Sequence, residues 1–206
     1  MRRTLRRMAS RELTVKDQAD ALLVAARLTA KASIHPKIRE TALIITHACK
    51  KNDGDGQMQA IYDAVKEGHP DVRGLEKGVK YVRDPVLTDF FTSPVKLLKQ
   101  CEADDRTCSE DCDGHGMLIA ALCASIGLRS GLRAFKPDGK KSFTHVYAVA
   151  SPDINAGDDK PKLHGMDTTI DRAYVGWEPS PGKTMTVLLE DLDTSLGAYF
   201  NGRRRR

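Results

Sequence analysis

The segment Glu110-Asp111-Cys112-Asp113-Gly114-His115-Gly116, with the run behind it, constrains this chain more than any other feature. Residues 117–126 are almost wholly apolar, and the helix predicted over 113–126 stops at Gly127, a residue suited to helix C-termini. Beyond it the pattern changes to alternation. Segments 128–135, 143–150 and 162–168 read as strands, with a turn at Pro137-Asp138-Gly139 and a polar loop over 151–161. Period-two alternation broken by turn signals predicts antiparallel pairing.

Ahead of the segment, the first 100 residues read as almost wholly helical. Thr14-Val15-Lys16-Asp17 resembles a helix-initiating box with Asp17 in the usual Glu position, and a helix follows over 19–32. Pro36 opens a second helix to about residue 50, with Ile38, Ala42, Ile45 and Ala48 on one stripe. A turn cluster at 52–56 precedes a third helix over 57–66. A fourth spans 72–82 and is stopped by Asp84-Pro85; a short one follows Ser93-Pro94 over 95–100. Helices first and strands second imply an α+β domain. The organisation expected is a basic N-terminal arm and helical extension over 1–56, the α+β domain over 57–200, and an Arg tail over 201–206.

Charge is unevenly placed. Arg2, Arg3, Arg6 and Arg7 sit at one end and Arg203 to Arg206 at the other; without these eight, the net charge of +5 becomes −3. Such tails suit weak, phosphate-driven contact with nucleic acid, although no aromatic residues are interleaved with them for base recognition. A solvated, loosely ordered end is the alternative. No apolar run approaches the roughly 18 residues of a membrane span, and no apolar stretch backs the first arginines as in a secretory signal. The chain is therefore expected to be soluble and to make no membrane contact. Five cysteines, an odd number, argue against a disulfide scaffold, though a Cys101–Cys108 bridge is one option.

Cys112, His145 and Asp167 follow one another in the order nucleophile, base and orienting acid, each at the mouth of a regular element. A thiol attacks as thiolate, and the positive end of a helix favours that form. Cys112 stands where the long helix should begin. His145 opens a strand, and Asp167 closes the next one, so antiparallel pairing would set the two side by side. Asp167 would then hold the imidazole in the tautomer that faces Cys112. Asp111 and Asp113 are expected to cap the helix, His115 to be a surface residue of its first turn, and Cys123 to be packed. His164 is a weaker candidate base, and Trp177 reads as a core or cleft-wall aromatic.

Three motifs carry a family resemblance over roughly residues 57–180. They are the Cys helix from Cys112 to Leu122 with its passage Ser125-Ile126-Gly127-Leu128-Arg129, the strand Thr144-His145-Val146-Tyr147, and Met166-Asp167-Thr168-Thr169. Together they resemble the transglutaminase-like superfamily of papain-like Cys-His-Asp enzymes. Lys80-Tyr81-Val82-Arg83-Asp84 and Gly176-Trp177-Glu178-Pro179 are similar to members encoded by tailed bacteriophages. The chain departs from the pattern at Thr168, often Pro in the family, at Glu110, often Gly, and at Gly114, usually an acid in phage relatives. The resemblance implies a Cys-bearing helix packed on a small antiparallel sheet. It also implies a cysteine peptidase or amidase acting on a peptide or protein through a thioester, without a cofactor. The upstream Gln or Trp that commonly assists is replaced only by Gln100, a weak match. The resemblance further suggests virion proteins as partners and a place in the host cytoplasm during phage assembly, or in the virion.

Two metal readings compete. Cys101, Cys108, Cys112 and His115 would complete a tetrahedral zinc set, but without the usual short Cys-x-x-Cys knuckle. Asp53-Gly54-Asp55-Gly56 suggests a calcium loop, yet Lys51 and Tyr62 occupy positions that need oxygen ligands, so it reads as a turn. A rival of another class is a non-enzymatic structural component of a phage particle, in which the helical extension and Arg tails serve assembly.

Overall fold

A computed structural model describes residues 15–83, 91–104, 108–152 and 162–192, with side chains from residue 17. Both Arg tails and the Asp84-Pro85 helix stop lie outside the described residues.

Among the described residues the chain is a mixed α+β fold of five α-helices and two small sheets. Helices α1 (Val15–Ser33), α2 (Pro36–Ile45) and α3 (Gly54–Lys66) come first. Strand β1 (Lys80–Tyr81), helix α4 (Pro94–Ala103) and strand β2 (Ser109–Glu110) lead into α5 (Cys112–Ser125). Strands β3 (Arg129–Pro137), β4 (His145–Ser151), β5 (His164–Met166) and β6 (Gly182–Leu188) complete it, and a 3-10 turn, Leu189–Asp191, follows. The last four strands form one antiparallel sheet in the order β5-β4-β3-β6.

Helix α5 is the centre. It is apolar on all sides, and every residue from Gly114 to Ser125 is buried. A helix of that kind is stable only when other elements enclose it. The sheet covers one side, with Ser130 of β3 donating to the Ala120 carbonyl at 2.8 Å. Leu22, Ala26 and Ala30 of α1, Ile38 and Ala42 of α2, and Met58 and Ile61 of α3 join Leu118, Ile119 and Leu122 in one core cluster. At about 1.5–3 kcal/mol for each large apolar side chain, the leucines and isoleucine of α5 anchor the whole assembly. The N-terminal helices thus share the core that carries the Cys helix.

The expected strands over 128–135, 143–150 and 162–168 are present as β3, β4 and β5. Strand β6 was not anticipated, nor was the parallel β1–β2 pair. The expected helix over 72–82 is absent; the chain makes successive turns there and then forms β1. Gly74 and Gly78 have φ of +87° and +68°, which a right-handed helix excludes. Val72, Leu75 and Val79 are nevertheless buried, so the apolar spacing reported burial while the backbone took another course. Helix α3 starts at Gly54 because Asp53 accepts from the Gly56 N–H at 2.9 Å. Helix α2 ends at Ile45, short of residue 50. Cys101 and Cys108 form a disulfide, the one bridge the sequence offered as an option. It joins the end of α4 to the segment entering β2.

Candidate active site

Cys112 is the first residue of α5, and Asp111 before it is the N-cap. The Asp111 carboxylate accepts from the Gly114 N–H at 3.1 Å, and its carbonyl accepts from the His115 N–H at 3.1 Å. The expected capping role of Asp111 is thus met. The thiol is free and half-buried, at the helix end where partial positive charge accumulates. The departures at Glu110 and Gly114 fit one another: a Cβ on Gly114 would lie 1.9 Å from the Glu110 Cγ, so the Glu110 side chain occupies the space an acid at 114 would need.

One turn on, Gly116 rests on the strand. A Cβ there would lie 3.2 Å from the Ala148 nitrogen and 3.2 Å from the Tyr147 carbonyl carbon, tighter than ordinary contact. Residues 112 and 116 share a helix face. Moving back from Gly116 to Cys112 covers about 6 Å of helix, and from Ala148 to His145 about 10 Å of strand. The absent side chain at 116 therefore helps to bring the helix start to the strand start. His145 opens β4, as expected, and the Cys112 thiol is close enough to act on its ring electrostatically.

His145 donates from Nε2 to Asp167 Oδ2 at 2.6 Å. That bond leaves Nδ1 as the ring nitrogen available to the thiol. Burial alone would depress the imidazole. The hydrogen bonds with Asp167 and Cys112, and the negative charge of both, outweigh it and raise the ring to about 10. Asp167 is 1% exposed. Burial would raise its carboxyl, but the bond and charge of His145 and the Thr169 contacts hold it below the usual value. Those contacts are the Thr169 N–H at 3.0 Å and hydroxyl at 2.7 Å, both onto Oδ1.

The Asp167 loop is held from two sides. From α3, the Tyr62 hydroxyl donates to the Asp167 and Ala173 carbonyls, and Lys66 Nζ donates to the carbonyls of Ala173 and Asp171. From α5, His115 meets the Thr168 hydroxyl at 2.9 Å through Nδ1. His115 is 1% exposed, which corrects its expected surface position. Its Nε2 has no hydrogen-bond partner among the described residues, although the Lys80 backbone favours a proton on the ring. Thr168 thus supplies a hydroxyl to a buried ring.

A further network lies behind the base. The His145 ring stacks on Tyr147 with centroids 5.8 Å apart. The Tyr147 hydroxyl donates to Glu178, and Arg133 pairs with the same carboxylate at 2.5 Å. Burial first, then the Glu178 bond and charge, push the Tyr147 phenol up. The loop carrying Glu178 is tied to β5 by the Gly176 N–H, which donates to the Gly165 carbonyl at 2.7 Å. None of these supports was read from sequence as part of the site; only the motif 176–179 marked the loop.

The structure therefore brings Cys112, His145 and Asp167 together. His164 lies on β5, where a Cβ added at Gly176 would meet its Nδ1 at 3.3 Å. Gln100 is exposed on α4. The zinc set does not converge: Cys101 and Cys108 are bonded to each other and His115 turns to Thr168. Among the described residues no group of three or more His, Cys, Asp or Glu side chains is arranged to hold a metal ion. Nor is any described helix long and apolar enough to cross a membrane. Comparison of the chain with protein-family models, with curated proteins and with solved structures returns no match.

Proposed function

We propose that this chain is a transglutaminase-like cysteine hydrolase, a peptidase or amidase working through a thioester. The observation that carries this reading is the connected set Cys112, His145 and Asp167 at the start of a buried helix. The Cys112 sulfur attacks the carbonyl carbon of a peptide or isopeptide amide, forming a carbon–sulfur bond and an oxyanion. His145, held protonated by Asp167, gives its proton to the leaving nitrogen as the carbon–nitrogen bond breaks. Water then attacks the thioester, His145 takes its proton, and the acid leaves as Cys112 is regenerated. Hydrolysis is preferred over transfer to an amine because no feature of the chain suggests a dedicated channel for a lysine acceptor. The motif similarity to phage-encoded relatives supports a phage origin.

The test is alkylation of the folded protein near neutral pH. Cys112 should react with iodoacetamide faster than an unfolded peptide thiol, and Cys112→Ala should abolish that fast phase. A rate no faster than the peptide would refute an activated nucleophile.

A second reading is a structural component of a phage particle that uses the fold for binding. Its supporting observation is that α1, α2 and the turn between them leave Val24, Leu43 and Ile34 exposed. Copurification with virions and unimpaired growth of a Cys112→Ala phage would favour it over catalysis.

A further inference from the structure

Acyl transfer to a thiol places a full negative charge on the former carbonyl oxygen, and a site that turns over needs donors aimed at that oxygen. The first turn of α5 offers one in the Cys112 N–H, which a helix leaves without an internal acceptor. A second donor must come from a side chain near the thiol that is not already engaged.

Most nearby donors are engaged. The Thr168 hydroxyl meets His115, and the Thr169 hydroxyl donates to Asp167. The Tyr147 hydroxyl donates to Glu178, and His145 is shared between Asp167 and Cys112. Tyr81 differs. It lies on β1 in parallel register with Glu110, two residues before Cys112. The strand is fixed there by Lys80 N–H to the Cys108 carbonyl at 2.8 Å and Val82 N–H to the Glu110 carbonyl at 3.0 Å. Its ring packs edge-on against His115, with centroids 6.3 Å apart and planes at 67°. His115 is three residues on from Cys112, so it shares the helix face above the thiol. The ring of Tyr81 thus lies along the first turn of α5. The residue is 44% exposed, and none of the contacts described above engages its hydroxyl.

From this placement we propose that the Tyr81 hydroxyl is the second donor to the oxyanion formed when Cys112 attacks a carbonyl. The proposal rests on the acyl-transfer reading above. Electrostatics support it. Burial, and then the Cys112 charge, raise the Tyr81 phenol, with Asp111 and Asp167 adding to the effect and Arg83 opposing it. The hydroxyl therefore keeps its proton through neutral pH and feels the charge on the sulfur.

Tyr81→Phe isolates the donor, because it removes one oxygen and keeps the ring against His115. Two reactions are compared in wild type and variant: the acylation burst with p-nitrophenyl acetate, which passes through an oxyanion, and alkylation by iodoacetamide at carbon, which does not. The expected result is acylation slower by about 10²-fold with alkylation unchanged. Acylation as fast as wild type, or an equal fall in both reactions, overturns the role of Tyr81 while the wild-type burst keeps the acyl-transfer reading. A wild type with neither burst nor fast alkylation overturns both.

Discussion

Lowering the pH should weaken this fold through His115, and the size of the effect follows from its burial. Desolvation of the ring is the main cause that holds it down at about 4, with the Lys80 carbonyl and the charges of Asp167 and Asp111 opposing it only in part. In the unfolded chain the ring takes up its proton near the ordinary value of about 6.5. The unfolded state therefore binds more protons between those values. Stability is complete above about 6.5 and is lost as the pH falls through 4. At 1.36 kcal/mol per unit, the loss between pH 7 and pH 4.5 is about 2.5 kcal/mol. His145 adds a smaller slope of opposite sign near pH 7 to 6, where the folded ring already holds its proton and the unfolded ring is still taking one up; that contribution is the same in the control below and cancels in the comparison. Asp167, held below its usual value, is ionised in both down to about pH 4. The control is His115→Gln, which does not titrate and keeps a group able to meet Thr168. Urea unfolding followed by far-UV circular dichroism should show wild type losing about 2.5 kcal/mol more than the variant, a midpoint difference of roughly 1–2 M. Equal losses in both proteins would refute the assignment of a buried, neutral His115.

Asp167→Asn removes the strongest support of the His145 charge and leaves burial to act on the ring; nitrogen-detected NMR should show His145 moving from about 10 toward 6.5, and the acylation burst slowing on the order of 10³–10⁴-fold. An unchanged titration would sink the pairing. Thiol titration in denaturant without reductant should count Cys49, Cys112 and Cys123 only, and all five cysteines after reduction. In the native protein Cys123 should stay silent, since burial pushes its thiol up to about 12; five thiols without reductant would remove the disulfide.

The sequence carried the Cys helix and three strands well, because each repeats one physical signal over many residues. Apolar residues around the whole of α5 demand enclosure, and alternation in β3 and β4 demands a sheet. The three candidate residues were legible for a related reason: each stands at an element boundary that those signals fix. What was missed depends on single contacts between distant segments. The turns over 72–82 share the apolar spacing of a helix, and only Gly74 and Gly78 betray them. The β1–β2 pair is two residues long and leaves no period to detect. His115 looked like a surface residue because nothing local reveals that Thr168, 53 residues on, supplies its partner. The odd cysteine count argued against a disulfide scaffold, and it left the Cys101–Cys108 bridge as no more than an option.

Gly116 has a consequence for how such a chain changes over generations. The gap between sulfur and imidazole depends on an atom that is missing, at a residue with no chemistry of its own. A Gly-to-Ala replacement needs one base change, adds one methyl group, and leaves Cys112, His145 and Asp167 in place. The helix would have to back away from β4 by a few tenths of an ångström, and on the proposed reading a misplaced thiol lowers the rate. If the proposed activity is real, it could thus be weakened, and later restored, by a mutation that no inventory of reactive residues would register.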